Sequence, residues 1–249
     1  MKILCTNDDG YMARGLGVLA TAARALGEVE IVAPDREQSA TSHALTLHRP
    51  LRARRSADGA HVVDGTPTDC VIMAVNGLLD HRPDFCLSGV NHGANMGEDV
   101  LYSGTVAAAM EATVIGIPSV AISYTGDDYE SLDTWEPLLQ GLLGQILSRN
   151  GFPKHTLLSV NLPAVPPDDV KGICVTSLGQ RKYADSITRA ADPKGRPYFW
   201  IGGDISAWNG ADDADYRAVQ EGFISITPLH LDLTNYETLE EIRRWDLAL

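Results

Sequence analysis

The chain has no run of apolar residues approaching the ~18 that a membrane span requires, and no basic-then-apolar leader precedes its first strand-like segment. Positive charge is scarce: 20 Lys and Arg stand against 33 Asp and Glu, for a net charge of −13. Broad electrostatic binding of nucleic acid is thereby excluded outside any local basic patch. Cysteine is scarce too, and Cys5, Cys70, Cys86 and Cys174 contain no C-x-x-C pair. That pattern reads as buried free thiols in a reducing compartment, so the expected location is cytoplasmic. The glycine-rich G-x-G-x-x-G turn of a nicotinamide dehydrogenase is absent, as are internal repeats and low-complexity segments.

What is present begins at once. Lys2 to Thr6 has strand character and runs into Asn7-Asp8-Asp9-Gly10, after which Leu16, Leu19, Ala20, Ala23 and Leu26 recur at helical spacing. Gly27 is expected to cap that helix, and Val29 to Ala33 reads as a second strand closed by Pro34. Strand, helix and strand in this order make a right-handed βαβ unit with a parallel pair, the signature of an α/β fold. Ligands of such folds bind at the carboxyl ends of the strands, where Asp8 and Asp9 sit. Alone, the tetrapeptide fits a polar turn as well as a pair of hard oxygen donors for Mg²⁺ or Mn²⁺.

Further strand exits carry polar groups to the same edge. The second strand leads to Ser39, Thr41, Ser42 and His43; the strand around Pro83 to Leu87 leads to a Gly/Asn loop holding Asn91 and Asn95. Ser103-Gly104-Thr105 then opens a small-residue helix, where Ser103 is equally an N-cap and the rim of a phosphate site. Thr66-Pro67 marks another helix start, with Asp69 in its first turn serving either the helix dipole or the site. Residues 130 to 150 show an amphipathic helix, Thr156 to Val160 a strand, and residues 170 to 230 shorter strands with turns. Leu239, Ile242, Trp245 and Leu249 give a short C-terminal helix. Arg49, Arg52, Arg54 and Arg55 lack interleaved aromatics and read as a solvated hairpin face.

Seven stretches in this order resemble the SurE survival proteins, a family of 5′/3′-nucleotidases. They are Ile3 to Gly10, Ala33-Pro34 with Gln38-Ser39, Gly65 to Cys70, Ser88 to Asn95, Tyr102 to Val106 with Ala108, Ala109 and Glu111, Asp192 to Tyr198, and Ser225 to Leu229. The resemblance implies a Rossmann-like three-layer α/β/α fold with a mostly parallel sheet, and one SurE-like unit over 1–249. Its core would span about 1–165 and a C-terminal hairpin and helix extension about 166–249, used in a homodimer or homotetramer. It implies hydrolysis of nucleoside 5′- and 3′-monophosphates, and of short polyphosphate as an open addition, with one divalent cation per subunit. Asp8, Asp9, Ser39 and Asn91 would ligate the cation; Asp8, Asp9, Asn95, Ser103, Gly104 and Thr105 would form the catalytic group. Two positions depart from the family pattern: Ala112 stands where glycine is usual, and Ala214 where threonine usually precedes the aspartate.

Water attack and an aspartyl-phosphate on Asp8 are both open routes. His43 and His92 are left outside the catalytic set. A nucleotide sensor without turnover, and an assembly module in which the Asp pair is only a turn, stand beside the enzyme. The enzyme is favoured because two adjacent carboxylates facing a polyanion require a cation between them.

Overall fold

The computed structural model describes residues 1–149, 151–183, 187–201, 205–245 and 247. Strand β1 (Lys2–Thr6) is the hinge of the architecture, since it pairs in parallel with β2 (Glu28–Pro34) on one side and with the strand over Phe85–His92 on the other. Between β1 and β2 lies α1 (Arg14–Arg24), whose Leu16, Leu19, Ala20 and Ala23 are buried as their spacing predicts. Gly27 is not the left-handed cap expected of it. The helix ends at Ala25 in right-handed conformation, and Gly27 instead admits the chain start, because a Cβ there would lie 2.4 Å from the Met1 carbonyl.

The basic segment forms β3 (Ala53–Arg55), antiparallel to β4 (His61–Val63), with the Arg54 guanidinium 5.1 Å above the Tyr11 ring. Next come α2 (Pro67–Met73), β5 (Phe85–His92), α3 (Gly104–Ile115), β6 (Ser119–Tyr124), α4 (Glu136–Leu147) and β7 (Thr156–Leu162). The expected single helix over 130–150 is two pieces, a 3₁₀ segment over Tyr129–Trp135 and then α4. Pro137 explains the break: lacking an N–H, it fits the first turn of a new helix and not the interior of a longer one.

The remaining strands are β8 (Ile173–Val175), β9 (Gln180–Tyr183), β10 (Ile187–Ala191), β11 (Pro197–Ile201), β12 (Ile205–Asn209) and β13 (Ile224–His230), with α5 (Asp215–Gln220) and α6 (Tyr236–Ile242). The main sheet has nine strands in the order β3-β4-β2-β1-β5-β6-β7-β13-β8, and it is parallel from β4 through β7. Strand β13 returns from the C-terminal segment to pair antiparallel with β7, so late residues complete the sheet. Two small two-stranded antiparallel sheets, β10-β11 and β9-β12, stand apart from it. Of the residues expected in the C-terminal helix, Leu239 and Ile242 lie in α6, Trp245 follows it, and Leu249 lies outside the described residues.

Helices cover both faces, as the three-layer α/β/α expectation requires. One core joins α1 and α4 to the sheet through Leu19, Leu87, Val120, Trp135 and Leu143; the other joins α2 and α3 through Leu4, Cys70, Cys86 and Ala108. Burial pushes the Cys5 thiol up to about 12. Cys70 and Cys86 are buried free thiols as well, whereas Cys174 is half-buried. Among the described residues no helix is long and apolar enough to cross a membrane.

Candidate active site

The site begins where β1 ends. Asn7, fully buried, donates from Nδ2 to the Gly10 carbonyl at 2.9 Å, and Gly10 takes φ +96°, a conformation that favours glycine. The turn so formed presents Asp8 and Asp9. Asp8 is 5% exposed and accepts a hydrogen bond from the Thr105 hydroxyl, while its backbone carbonyl accepts the Gln38 amide at 2.7 Å. The exit of β2 is therefore fastened to the exit of β1, with Ser39 as the next residue.

Burial pushes the Asp8 carboxyl up to about 6, against the pull of the Thr105 hydroxyl. Burial raises the Asp9 carboxyl too, opposed by His92, whose backbone N–H donates to Asp9 Oδ2 at 3.1 Å. None of the ion pairs of the described residues includes either carboxylate. Two neighbouring acids that burial leaves without a cationic partner suit a divalent ion in chemical character. No group of three His, Cys, Asp or Glu gathers among the described residues, so hydroxyl and amide oxygens have to complete such a shell.

Those oxygens are present. Asn91 commits its amide nitrogen to the Gly93 carbonyl at 2.8 Å, and Asn95 commits its own to Ser123 Oγ at 2.8 Å, so each offers its Oδ1 to a ligand. Ser39 lies at the surface and donates to Glu37 Oε1 at 2.6 Å. Ser103 Oγ caps α3 by accepting the Val106 N–H at 3.0 Å, which leaves the first-turn amides of Gly104 and Thr105 as donors without helical acceptors. Gly104 is required by closeness, since a Cβ there would sit 2.7 Å from the Asp8 Cβ.

A cleft of about 860 Å³ gathers Asp8, Ser39, Asn91, Asn95 and Ser103 along one wall. Asp9, Gly104 and Thr105 adjoin that wall: Asp9 accepts the His92 amide, Gly104 lies against Asp8, and Thr105 donates to it. Asp69 belongs elsewhere, because it closes a capping box with Thr66 and accepts the Thr46 amide at 3.0 Å. His43 pairs with Glu111 at 2.8 Å, and His92 lines the cleft with its ring stacked on Tyr129 at 4.4 Å.

Three residues of this region were not anticipated. Asn161, at the exit of β7, accepts the Asn95 amide through Oδ1 at 2.9 Å and donates from Nδ2 to the Asn95 carbonyl at 3.0 Å. With Ser123 at the exit of β6 it extends the same strand-exit pattern, and that position was the available signal. Arg181 enters the cleft from β9, paired with Asp99 and 5.7 Å above the Trp208 ring. No periodicity in the short-strand region points to it. Asp215, wholly buried at the start of α5, accepts the amides of Gly97 and Gly179, each at 2.9 Å, and so ties the Asn91 to Gly97 loop to the C-terminal segment.

The family model described as survival protein SurE matches residues 3–185. A protein of Gemmatimonas aurantiaca named 5′-nucleotidase SurE is 56% identical over 248 residues, covering 98% of each chain. One of the same name from Geotalea uraniireducens is 50% identical over 252 residues and the full length of both. Among solved structures, the SurE protein from Aquifex aeolicus superposes with a TM-score of 0.87 at 40% identity, over 98% of each chain.

Proposed function

The chain belongs to the SurE survival protein family, and from that premise we propose that it releases phosphate from nucleoside 5′- and 3′-monophosphates with one Mg²⁺ or Mn²⁺ per subunit. It is a nucleotidase, a phosphoric monoester hydrolase, in keeping with relatives named 5′-nucleotidase SurE across their whole length. The observation that carries the metal reading is the burial of Asp8 and Asp9 with raised carboxyls and no cationic side chain paired to either.

Asp8, Asp9, Ser39 and Asn91 would hold the ion. Such a cation supplies charge neutralisation and Lewis-acid polarisation to a phosphoryl group. The chain's own groups do the rest. The helix start over Ser103, Gly104 and Thr105, with the positive end of α3 behind it, would receive phosphoryl oxygens, and Asn95 Oδ1 would orient what lies between. Thr105 fixes the Asp8 carboxylate through its hydroxyl, and His92 fixes Asp9 through its backbone amide. A net charge of −13 repels a polyanion on average, so this local arrangement is what would retain it. One folded unit over 1–249, assembled as a homodimer or homotetramer in the cytoplasm, completes the reading, with cleavage of short polyphosphate as a further activity of the same cleft.

The test is inorganic phosphate release from a panel of 5′- and 3′-nucleoside monophosphates and tripolyphosphate. It is run with Mn²⁺ or Mg²⁺, then with chelator, then with metal restored. Release from both monophosphate series that stops with chelator and returns with metal is expected. Release that persists in chelator removes the cation from the reading, and nucleotide binding without release replaces hydrolysis by sensing.

A further inference from the structure

We propose that Tyr102 is the platform on which this cleft receives the nucleobase, so that the enzyme tells nucleotides from other phosphomonoesters by stacking. The proposal rests on the nucleotidase reading and specifies its substrate-recognition end. Tyr102 lines the cleft and immediately precedes Ser103, the cap of α3. Its backbone is fastened on both sides: the N–H donates to the Asp99 carbonyl at 3.0 Å, and the carbonyl accepts the Ser42 amide at 3.1 Å. Ser42 Oγ also donates to the Leu101 carbonyl at 2.6 Å. Yet the residue is 62% exposed. Exposure alone does not single it out, since Tyr236 is as exposed; its place does, because a ring with an apolar face and a polar tip lines a polar cleft beside the cap of α3.

The other planar groups of the cleft are already engaged. The His92 ring stacks on Tyr129 at 4.4 Å, and the Arg181 guanidinium pairs with Asp99 and lies over Trp208. Tyr102 is thus the lining residue best placed to offer a ring face. It adjoins the donors proposed for the phosphate, which suits a ligand whose anionic and aromatic ends are joined by one sugar. Stacking reads the π-face that every base possesses and not its hydrogen-bonding edge, so purine and pyrimidine nucleotides are both accepted.

The experiment compares wild type, Tyr102→Ala and Tyr102→Phe on adenosine 5′-monophosphate, uridine 5′-monophosphate and ribose 5-phosphate, reading kcat and KM separately. In Tyr102→Ala, the preference in kcat/KM for either nucleotide over ribose 5-phosphate is expected to fall about tenfold, chiefly through KM. Tyr102→Phe is expected to restore it. An equal loss on all three substrates, no change in the preference, or failure of the Phe variant to restore it would each overturn the proposal. Calorimetry with adenosine alone separates this from failure of the hydrolase reading. If wild type hydrolyses nothing but binds adenosine and Tyr102→Ala binds it about tenfold more weakly, the platform stands and hydrolysis falls; equal adenosine affinity overturns the platform.

Discussion

Asp8 and Asp215 are both buried carboxylates whose acidity burial weakens, yet the protein treats them oppositely. Asp215 receives three backbone amides, from Gly97, Gly179 and Tyr216, and each pulls against the desolvation. Its lone pairs are filled by the fold, and it joins three segments. Asp8 receives a side-chain hydroxyl from Thr105 and smaller help from the backbone amides of Asp8 and Thr105, beside a neighbouring acid that repels it. A buried charge that the chain satisfies is structural, and one that it leaves under-satisfied is reserved for something outside the chain.

The sharpest way to break that comparison is Asp8→Asn. Turnover with Mn²⁺ is expected to fall about a thousandfold or more, because the substitution removes a charge from the cation shell and from the transition state together. In chelator the same variant is expected to be more stable than wild type, read by thermal melting, since it removes a desolvated charge. The pH dependence follows from the same carboxyl. Its folded value of about 6 lies above the ordinary 3.8, so it favours folding below about pH 4 and loses that contribution as pH rises through 6. The gap is worth about 3 kcal/mol at full extent. Metal-free wild type should therefore lose stability between pH 4 and pH 7, and Asp8→Asn should lose less. Equal slopes would show that Asp8 is as well satisfied as Asp215.

At Asp215 the expectation reverses. Asp215→Asn keeps the shape but replaces one acceptor oxygen by a donor facing buried amides, and should cost about 2 kcal/mol in denaturant unfolding at neutral pH, in chelator as in metal. Because Gly97 lies two residues beyond Asn95, metal affinity should weaken alongside. A variant that is instead stabilised in chelator would place Asp215 in the same class as Asp8.

The difference between the two carboxylates also marks how far the sequence can be read. Strand exits are legible because a strand pattern followed by a helical one fixes where the chain leaves a parallel sheet. Asp8, Ser39, Asn91 and Asn95 were found in this way and Ser103 from its helix start, and the five line one cleft. Close approaches are not legible. Nothing in the pattern tells that Gly27 admits Met1 while Gly104 admits Asp8, since each depends on a segment distant in sequence. Arg181 and Asp215 escaped for the same reason: the short strands around them have no periodicity that reveals which neighbour they meet. For the alternatives at Asp69, the capping box decides for the helix start.

Ala214, where SurE proteins usually carry threonine, offers the mildest test. It is the N-cap residue of α5, with φ −66° and ψ 144°, and it makes no side-chain cap. Asp215 covers part of the deficit from the next position, since its Oδ1 accepts the Tyr216 amide at 2.8 Å. Ala214→Thr would add the missing hydroxyl acceptor, worth about 0.5–1 kcal/mol where geometry allows, or a few degrees in Tm for a chain of this size. Ala214 is wholly buried beside Met96, Tyr216 and Val219, so the added atoms must also be accommodated there. The informative measurement is the double variant. If Asp215 serves partly as the cap that Ala214 lacks, Ala214→Thr should gain more in the Asp215→Asn background than in wild type. Equal gains would confine Asp215 to its bonds with Gly97 and Gly179.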